Sequence, residues 1–301
     1  MKIKDYFTFF RWKNLLIVIL IQFLLKFILF QKFNLSSSLN NFHFFLLTLS
    51  TICIAIAGYI INDINDVKAD QINKPNKVFV GNKISFSKAN NLFLIFNSIG
   101  LLIGFYLTIY ITKHSFFIIY IIASLLLYRY AVDLKKRLII SNLTVSFVVF
   151  LSIIIVPVFD LVPATNNYNN QSQILVFNTV LVISAFAFFL TLLREIVKDL
   201  EDIEGDKKIK ARTLPIIYGE KKTKIILGIL GFVPFLGIIY YAYYFYKTNP
   251  NLSYYLIALV CLPLLYFLVK LFNSNSKVAY NKLSSVLKLI MLLGMLSILF
   301  F

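Results

Sequence analysis

Two acidic stretches interrupt an otherwise apolar chain. The first is NDINDVKAD, with Asn62, Asp63, Asp66 and Asp70; the second is DLEDIEGD, with Asp199, Asp202 and Asp206. Both repeat the spacing DxxDxxxD. On a helix, Asn62, Asp66 and Asp70 share one stripe, and so do Asp199, Asp202 and Asp206, with Glu195 one turn earlier. Gly205 is expected to end the second helix and leave Asp206 on a turn. Like charges at this spacing repel, and a hard cation relieves the repulsion. Mg²⁺ is held by one or two carboxylates together with phosphate oxygens and water. The chemistry this implies is a diphosphate held through Mg²⁺ between two opposed carboxylate stripes. One such loop alone would read as solvated acids partnered by lysines; two at matched spacing argue for a site.

Basic residues follow each stretch: Lys74 and Lys77 after the first, and Lys207, Lys208, Lys210 and Arg212 after the second. A third loop, YRYAVDLKKRLIISN, adds Tyr130, Lys135, Lys136 and Arg137. Singly, these cations read as topology signals; together beside carboxylates they read as a phosphate clamp.

These groups must be positioned by membrane helices. The chain has 301 residues, of which 59% are hydrophobic and only 14% charged, and its mean hydropathy is +0.82. That is far more apolar than a soluble domain. Nine apolar runs are long enough to span a bilayer as helices: Leu15–Gln31, Phe42–Ile61, Ala89–Ile111, Ser115–Tyr130, Ile139–Phe159, Ile174–Ile196, Ile225–Tyr246, Leu252–Leu271 and Leu283–Phe301. The first is too long for a signal-peptide core. The predicted fold is therefore an all-α polytopic membrane protein of nine transmembrane helices.

A net charge of +17 raises the question of nucleic acid, but the cations are confined to short loops. Of 30 Lys and Arg residues, 26 fall on one side; Lys32, Lys113 and Lys247 fall on the other, and Lys26 lies inside the first run. The positive-inside rule makes the richer side cytoplasmic. That side carries the N-terminus and both acidic stretches, and nine spans put the C-terminus outside. The expected setting is the plasma membrane, with membrane lipids and no nucleic acid as partners. Lys26 is expected to snorkel outward. Asp160–Gln173 reads as an outer loop, Pro157, Pro234 and Pro263 as kinks, His43 and His114 as interfacial residues, and Cys53 and Cys261 as buried hydrophobes.

The pair of acidic motifs on nine spans, with a Tyr–Lys loop between them, resembles the UbiA-type intramembrane prenyltransferase superfamily. The resemblance implies one transmembrane prenyltransferase domain over residues 1–301, its helices bundled around a central cavity, and a Mg²⁺-dependent site for a polyprenyl diphosphate donor. It implies metal binding by Asp63, Asp66, Asp70, Asp199, Asp202 and Asp206, with Asp66, Asp70, Asp202 and Asp206 catalytic. It assigns substrate contacts to Arg11, Asn14, Asn62, Lys77, Tyr130, Lys135, Lys136, Arg194, Lys198 and Arg212. The chain departs from the family pattern at Lys77, where arginine is usual, and at Val80–Asn82. The stretch REIVKDLEDIEGD is most similar to the branch that alkylates geranylgeranylglyceryl phosphate. An aromatic quinone precursor is the alternative acceptor, and a transporter with carboxylate ion sites the more distant alternative. The chain also reads as two blocks, about 42–159 and 174–301, with the active site between them and helix 1 outside.

Overall fold

Long runs of Leu, Ile, Val and Phe satisfy their backbone polar groups only by coiling on themselves when surrounded by lipid. The computed structural model describes residues 3–73, 78–208 and 210–301, apart from the side chains of Ile3, Lys4 and Asn73. Lys74 and Lys77 lie outside the described residues. A short helix α1 (Ile3–Phe9) precedes the first span, α2 (Trp12–Lys32). Then come α3 (Asn41–Asn65), the short α4 (Val67–Asn73), α5 (Phe86–Tyr110), α6 (His114–Val132) and α7 (Ile140–Asp160). The second half holds α8 (Asn170–Glu201), the short α9 (Ile203–Lys208), α10 (Leu214–Phe245), α11 (Pro250–Phe272) and α12 (Lys277–Phe300). Among the described residues, nine helices are long and apolar enough to cross a membrane, matching the nine predicted runs.

The chain forms two compact units. One comprises Met1–Lys135 with Leu151–Leu181, the other Lys136–Phe150 with Val182–Phe301. In the first unit α5 packs against α3 at Gly100 and against α6 at Gly104. A Cβ on Gly100 would lie 2.7 Å from Ile54, and one on Gly104 would lie 2.7 Å from the Tyr120 ring. Two glycines four residues apart let membrane helices approach closely where lipid supplies no hydrophobic drive. Tyr120 is fully buried there and its hydroxyl meets Ser50 Oγ at 2.9 Å.

Lys26 does not snorkel. It is buried in a π-helical turn of α2 (Leu24–Leu29), and its Nζ donates to Asp160 Oδ2 and to the Leu39 carbonyl, both at 2.7 Å. Asp160 is not in a loop either: it closes α7, is wholly buried, and accepts from the Leu39 N–H at 2.8 Å. A buried cation beside a buried carboxylate gains a partner that the sequence, 134 residues apart, did not reveal. His43 is also buried, stacked 3.5 Å from the Tyr110 ring. Cys53 and Cys261 are buried free thiols.

In the second unit a core of α8, α10, α11 and α12 gathers Leu193, Ile196, Leu227, Leu264, Phe267 and Leu287. The non-helical break in α10 falls at Gly219 (φ 77°), not at Pro234, which lies inside the helix. Glycine accepts this left-handed backbone without steric cost. The next residue, Glu220, accepts from the Tyr280 hydroxyl and pairs with Lys224 at 3.0 Å. Pro263 follows a π-helical turn (Leu256–Cys261), and the wider turn absorbs its missing N–H; α7 continues through Pro157. Exposed Tyr240, Tyr243, Tyr244 and Tyr246 form an aromatic belt at the end of α10.

Candidate active site

Each acidic motif sits on a helix break of the same design. In the first unit, α3 stops at Asp66 and α4 restarts at Val67. Helical bonding nevertheless carries across: Asp66 N–H donates to Asn62 O at 2.9 Å, and Asp70 N–H to Asp66 O at 2.8 Å. In the second unit, α8 stops before Asp202 and α9 restarts at Ile203. Asp202 N–H donates to Lys198 O at 2.9 Å, and Asp206 N–H to Asp202 O at 3.1 Å. The predicted stripes therefore exist, each with a bend at its middle aspartate. Gly205 does not end the helix; it is buried within α9, and Asp206 is a buried helical residue.

The first unit brings several of the predicted residues together. Asp66, only 5% exposed, takes the Lys135 ammonium on Oδ2, and the same oxygen accepts Asn62 Nδ2 at 2.6 Å. Asp63 accepts from Arg11 Nη2 at 2.6 Å, while the Arg11 guanidinium lies 4.8 Å over the Tyr59 ring. Burial alone would lower the pKa of Lys135. The charge of Asp66 outweighs it, joined by Tyr130 and Asp70, and holds the ammonium above the ordinary lysine value. Tyr130 and Asp70 thus lie close enough to act on Lys135. Asn14 continues α2 from the left-handed Arg11, its N–H bonded to Arg11 O at 2.8 Å.

In the second unit, Asn142 Nδ2 donates to Asp199 Oδ2 at 2.9 Å. The Arg212 N–H donates to Lys136 O at 2.9 Å, which ties two basic loops together by their backbones. Glu195 Oε1 accepts from both Lys198 Nζ at 2.6 Å and Arg194 Nη1 at 3.2 Å. Glu195 is therefore committed to its own cations. Asn142 was not predicted; its signal was an amide just inside an apolar run, at the end of LIISN.

Non-glycine residues with left-handed backbone mark these loops: Arg11 (φ 54°), Ile139 (φ 62°) and Lys210 (φ 55°). A β-branched residue there is a rare, strained choice. Such strain persists where the surroundings over-determine the backbone, and functional sites are where it concentrates.

The donor set fits a hard divalent cation. It offers carboxylates and an amide oxygen, and Asn62 Oδ1 is buried with no hydrogen-bond partner among the described residues. Among the described residues no three Asp, Glu, His or Cys side chains form a closed metal cage. Mg²⁺ needs none, because phosphate oxygens and water complete its octahedron.

Comparison with known proteins identifies the family and the fold. The profile of the UbiA prenyltransferase family matches residues 17–293. A digeranylgeranylglyceryl phosphate synthase from Methanosphaera stadtmanae is 32% identical over 83% of this chain and 85% of its own. One from Methanococcus maripaludis is 30% identical over 96% of this chain and 95% of its own. Among solved structures, one described as a digeranylgeranylglyceryl phosphate synthase in membranes superposes with a TM-score of 0.66 at 25% identity, covering 99% of both chains. A UbiA homologue from Archaeoglobus fulgidus bound to GPP and Mg²⁺ has a TM-score of 0.62 at 16% identity, covering 98% of this chain and 99% of its own. The fold and the paired acidic motifs define an integral-membrane enzyme of the prenyl-transferring class. The chain belongs to the UbiA prenyltransferase family.

Proposed function

We propose that this protein transfers a polyprenyl group from a polyprenyl diphosphate to a hydroxyl of geranylgeranylglyceryl phosphate, with Mg²⁺. The observation that carries the reading is the shared Asp66 oxygen, where a lysine and an amide converge on one buried carboxylate at a helix break. The relatives named digeranylgeranylglyceryl phosphate synthase support the acceptor.

Transfer forms an ether C–O bond at C1 of the prenyl group, breaks the C1–O bond to diphosphate, and releases the hydroxyl proton. Bound Mg²⁺ supplies charge neutralisation for the departing diphosphate. In this proposal Asp63, Asp66, Asp70 and Asn62 would hold the metal at the first motif, and Asp199, Asp202 and Asp206 at the second. Arg11, Lys77, Lys135, Lys136 and Arg212 contribute positive charge that favours a diphosphate, with Asn14 and Tyr130 fixing the loop and helix starts that carry their neighbours. Arg194 and Lys198 contact substrate from inside α8. The apolar spans take up the prenyl tail. The membrane is the plasma membrane, with the N-terminus and both motifs cytoplasmic, because the cation-rich loops lie on that side. The two blocks 42–159 and 174–301 each begin with a span that ends in an acidic motif.

The test is a transfer assay with purified protein, labelled geranylgeranyl diphosphate and a panel of acceptors. Digeranylgeranylglyceryl phosphate is the expected product, formed with Mg²⁺ and lost with a chelator. A prenylated aromatic acid as the main product would overturn the acceptor assignment.

A further inference from the structure

Both cations of the Arg194–Glu195–Lys198 group lean on one carboxylate oxygen. Lys198 Nζ and Arg194 Nη1 reach Glu195 Oε1 at 2.6 and 3.2 Å. Arg194 Nε is buried and meets no hydrogen-bond partner among the described residues. A guanidinium carries five N–H donors in a rigid fork, and one long contact to a neighbouring carboxylate leaves most of that capacity for something else. Its side chain is still 24% exposed and that of Lys198 32%, so a ligand can reach both.

Their depth matters. Arg194 precedes Asp202 by eight residues on one helix, about 12 Å further from the motif along the axis at 1.5 Å per residue. Arg194 lies at the cytoplasmic end of the apolar run Ile174–Ile196, and an ionisable group within a span marks a function by default. Neutralising the donor diphosphate does not require it, because that diphosphate belongs at the acidic motif. The acceptor has its own anion, a phosphate monoester, which the acidic motif repels.

We infer that Arg194 and Lys198 form the binding site for the acceptor's phosphate, separate from the site for the donor's diphosphate. The inference rests on the proposed acceptor. An Arg–Lys pair suits a phosphate monoester: the fork takes two oxygens and the ammonium a third. Glu195 holds both cations in place and lowers the cost of keeping them in the span. An acceptor without phosphate gains nothing from this pair, so the group selects phosphorylated glycerol ethers over neutral alcohols.

The experiment compares wild type, Arg194→Gln, Arg194→Lys and Lys198→Gln. Each is assayed with geranylgeranyl diphosphate and either geranylgeranylglyceryl phosphate or its dephosphorylated alcohol. The R194Q and K198Q changes are expected to raise KM for the phosphorylated acceptor at least tenfold, while KM for the donor moves less than twofold. The loss is expected to be larger on the phosphorylated acceptor than on the alcohol, and R194K recovers part of it. In parallel, the acceptor alone is expected to raise the melting temperature of wild type but not of R194Q. An equal rise in donor and acceptor KM, or an unchanged acceptor KM, would overturn the inference. Absence of transfer to this acceptor by wild type would instead overturn the reading on which it rests.

Discussion

Lys135 and Asn62 donate to the same oxygen of Asp66, so one carboxylate is held by an amide from its own motif and an ammonium from a distant loop. The proposed metal needs that carboxylate too. Mg²⁺ and Lys135 therefore compete for Asp66 until a diphosphate offers the ammonium other oxygens. In Lys135→Met, Mg²⁺ alone is expected to bind several-fold more tightly, while KM for the prenyl diphosphate rises at least tenfold. Metal binding measured without substrate, beside steady-state kinetics, checks both. A fall in affinity for both ligands would show that Lys135 only supports the fold.

The charge of Lys135 also fixes a pH dependence. Its pKa is raised in the folded protein, through Asp66 above all, against the opposing effect of burial. A raised lysine contributes stability that is fully present below its unfolded value, about 10.4, and lost only as pH climbs through the higher folded value. The difference in melting temperature between wild type and K135M should therefore stay constant from about pH 6 to 9. It should shrink only in the alkaline range beyond the ordinary lysine value. A difference that disappears near neutrality would contradict the assigned ion pair.

The Lys26–Asp160 pair predicts a stability effect without a catalytic one. Lys26→Met leaves a wholly buried carboxylate without its cation, and breaking such a pair costs about 3–5 kcal/mol. Removing both charges in Lys26→Met with Asp160→Leu restores part of that loss, while the Leu39 N–H and carbonyl lose their partners. Thermal unfolding in detergent checks this. Equal stability of wild type and K26M would refute it. KM for the donor should be unchanged in the folded fraction.

Much of this was legible in the sequence because lipid simplifies the problem. Nine apolar runs had to be helices, and DxxDxxxD stripes keep their faces on any helix. The bends at Asp66 and Asp202 were not legible, since each motif keeps its helical hydrogen bonds across the break. Gly205 misled because glycine is a common helix stop, yet burial in α9 kept it helical. Lys26 misled because a lone lysine in a span normally reaches for the headgroups. Its partner Asp160 stood at the end of a different span, where sequence proximity gives no hint. Asn142 was invisible for a similar reason: an amide in an apolar run becomes informative only once Asp199 is seen within 2.9 Å.

The central claim is that each acidic motif contributes to Mg²⁺-dependent binding of the prenyl diphosphate donor. Its most direct test is Mg²⁺-dependent binding of labelled geranylgeranyl diphosphate to wild type, Asp66→Asn and Asp202→Asn, each protein verified as folded by its melting curve. Each single change is predicted to weaken donor binding at least tenfold, and turnover by about 10²–10³ as for loss of one electrostatic catalytic group. Wild-type donor affinity in either variant would contradict the account.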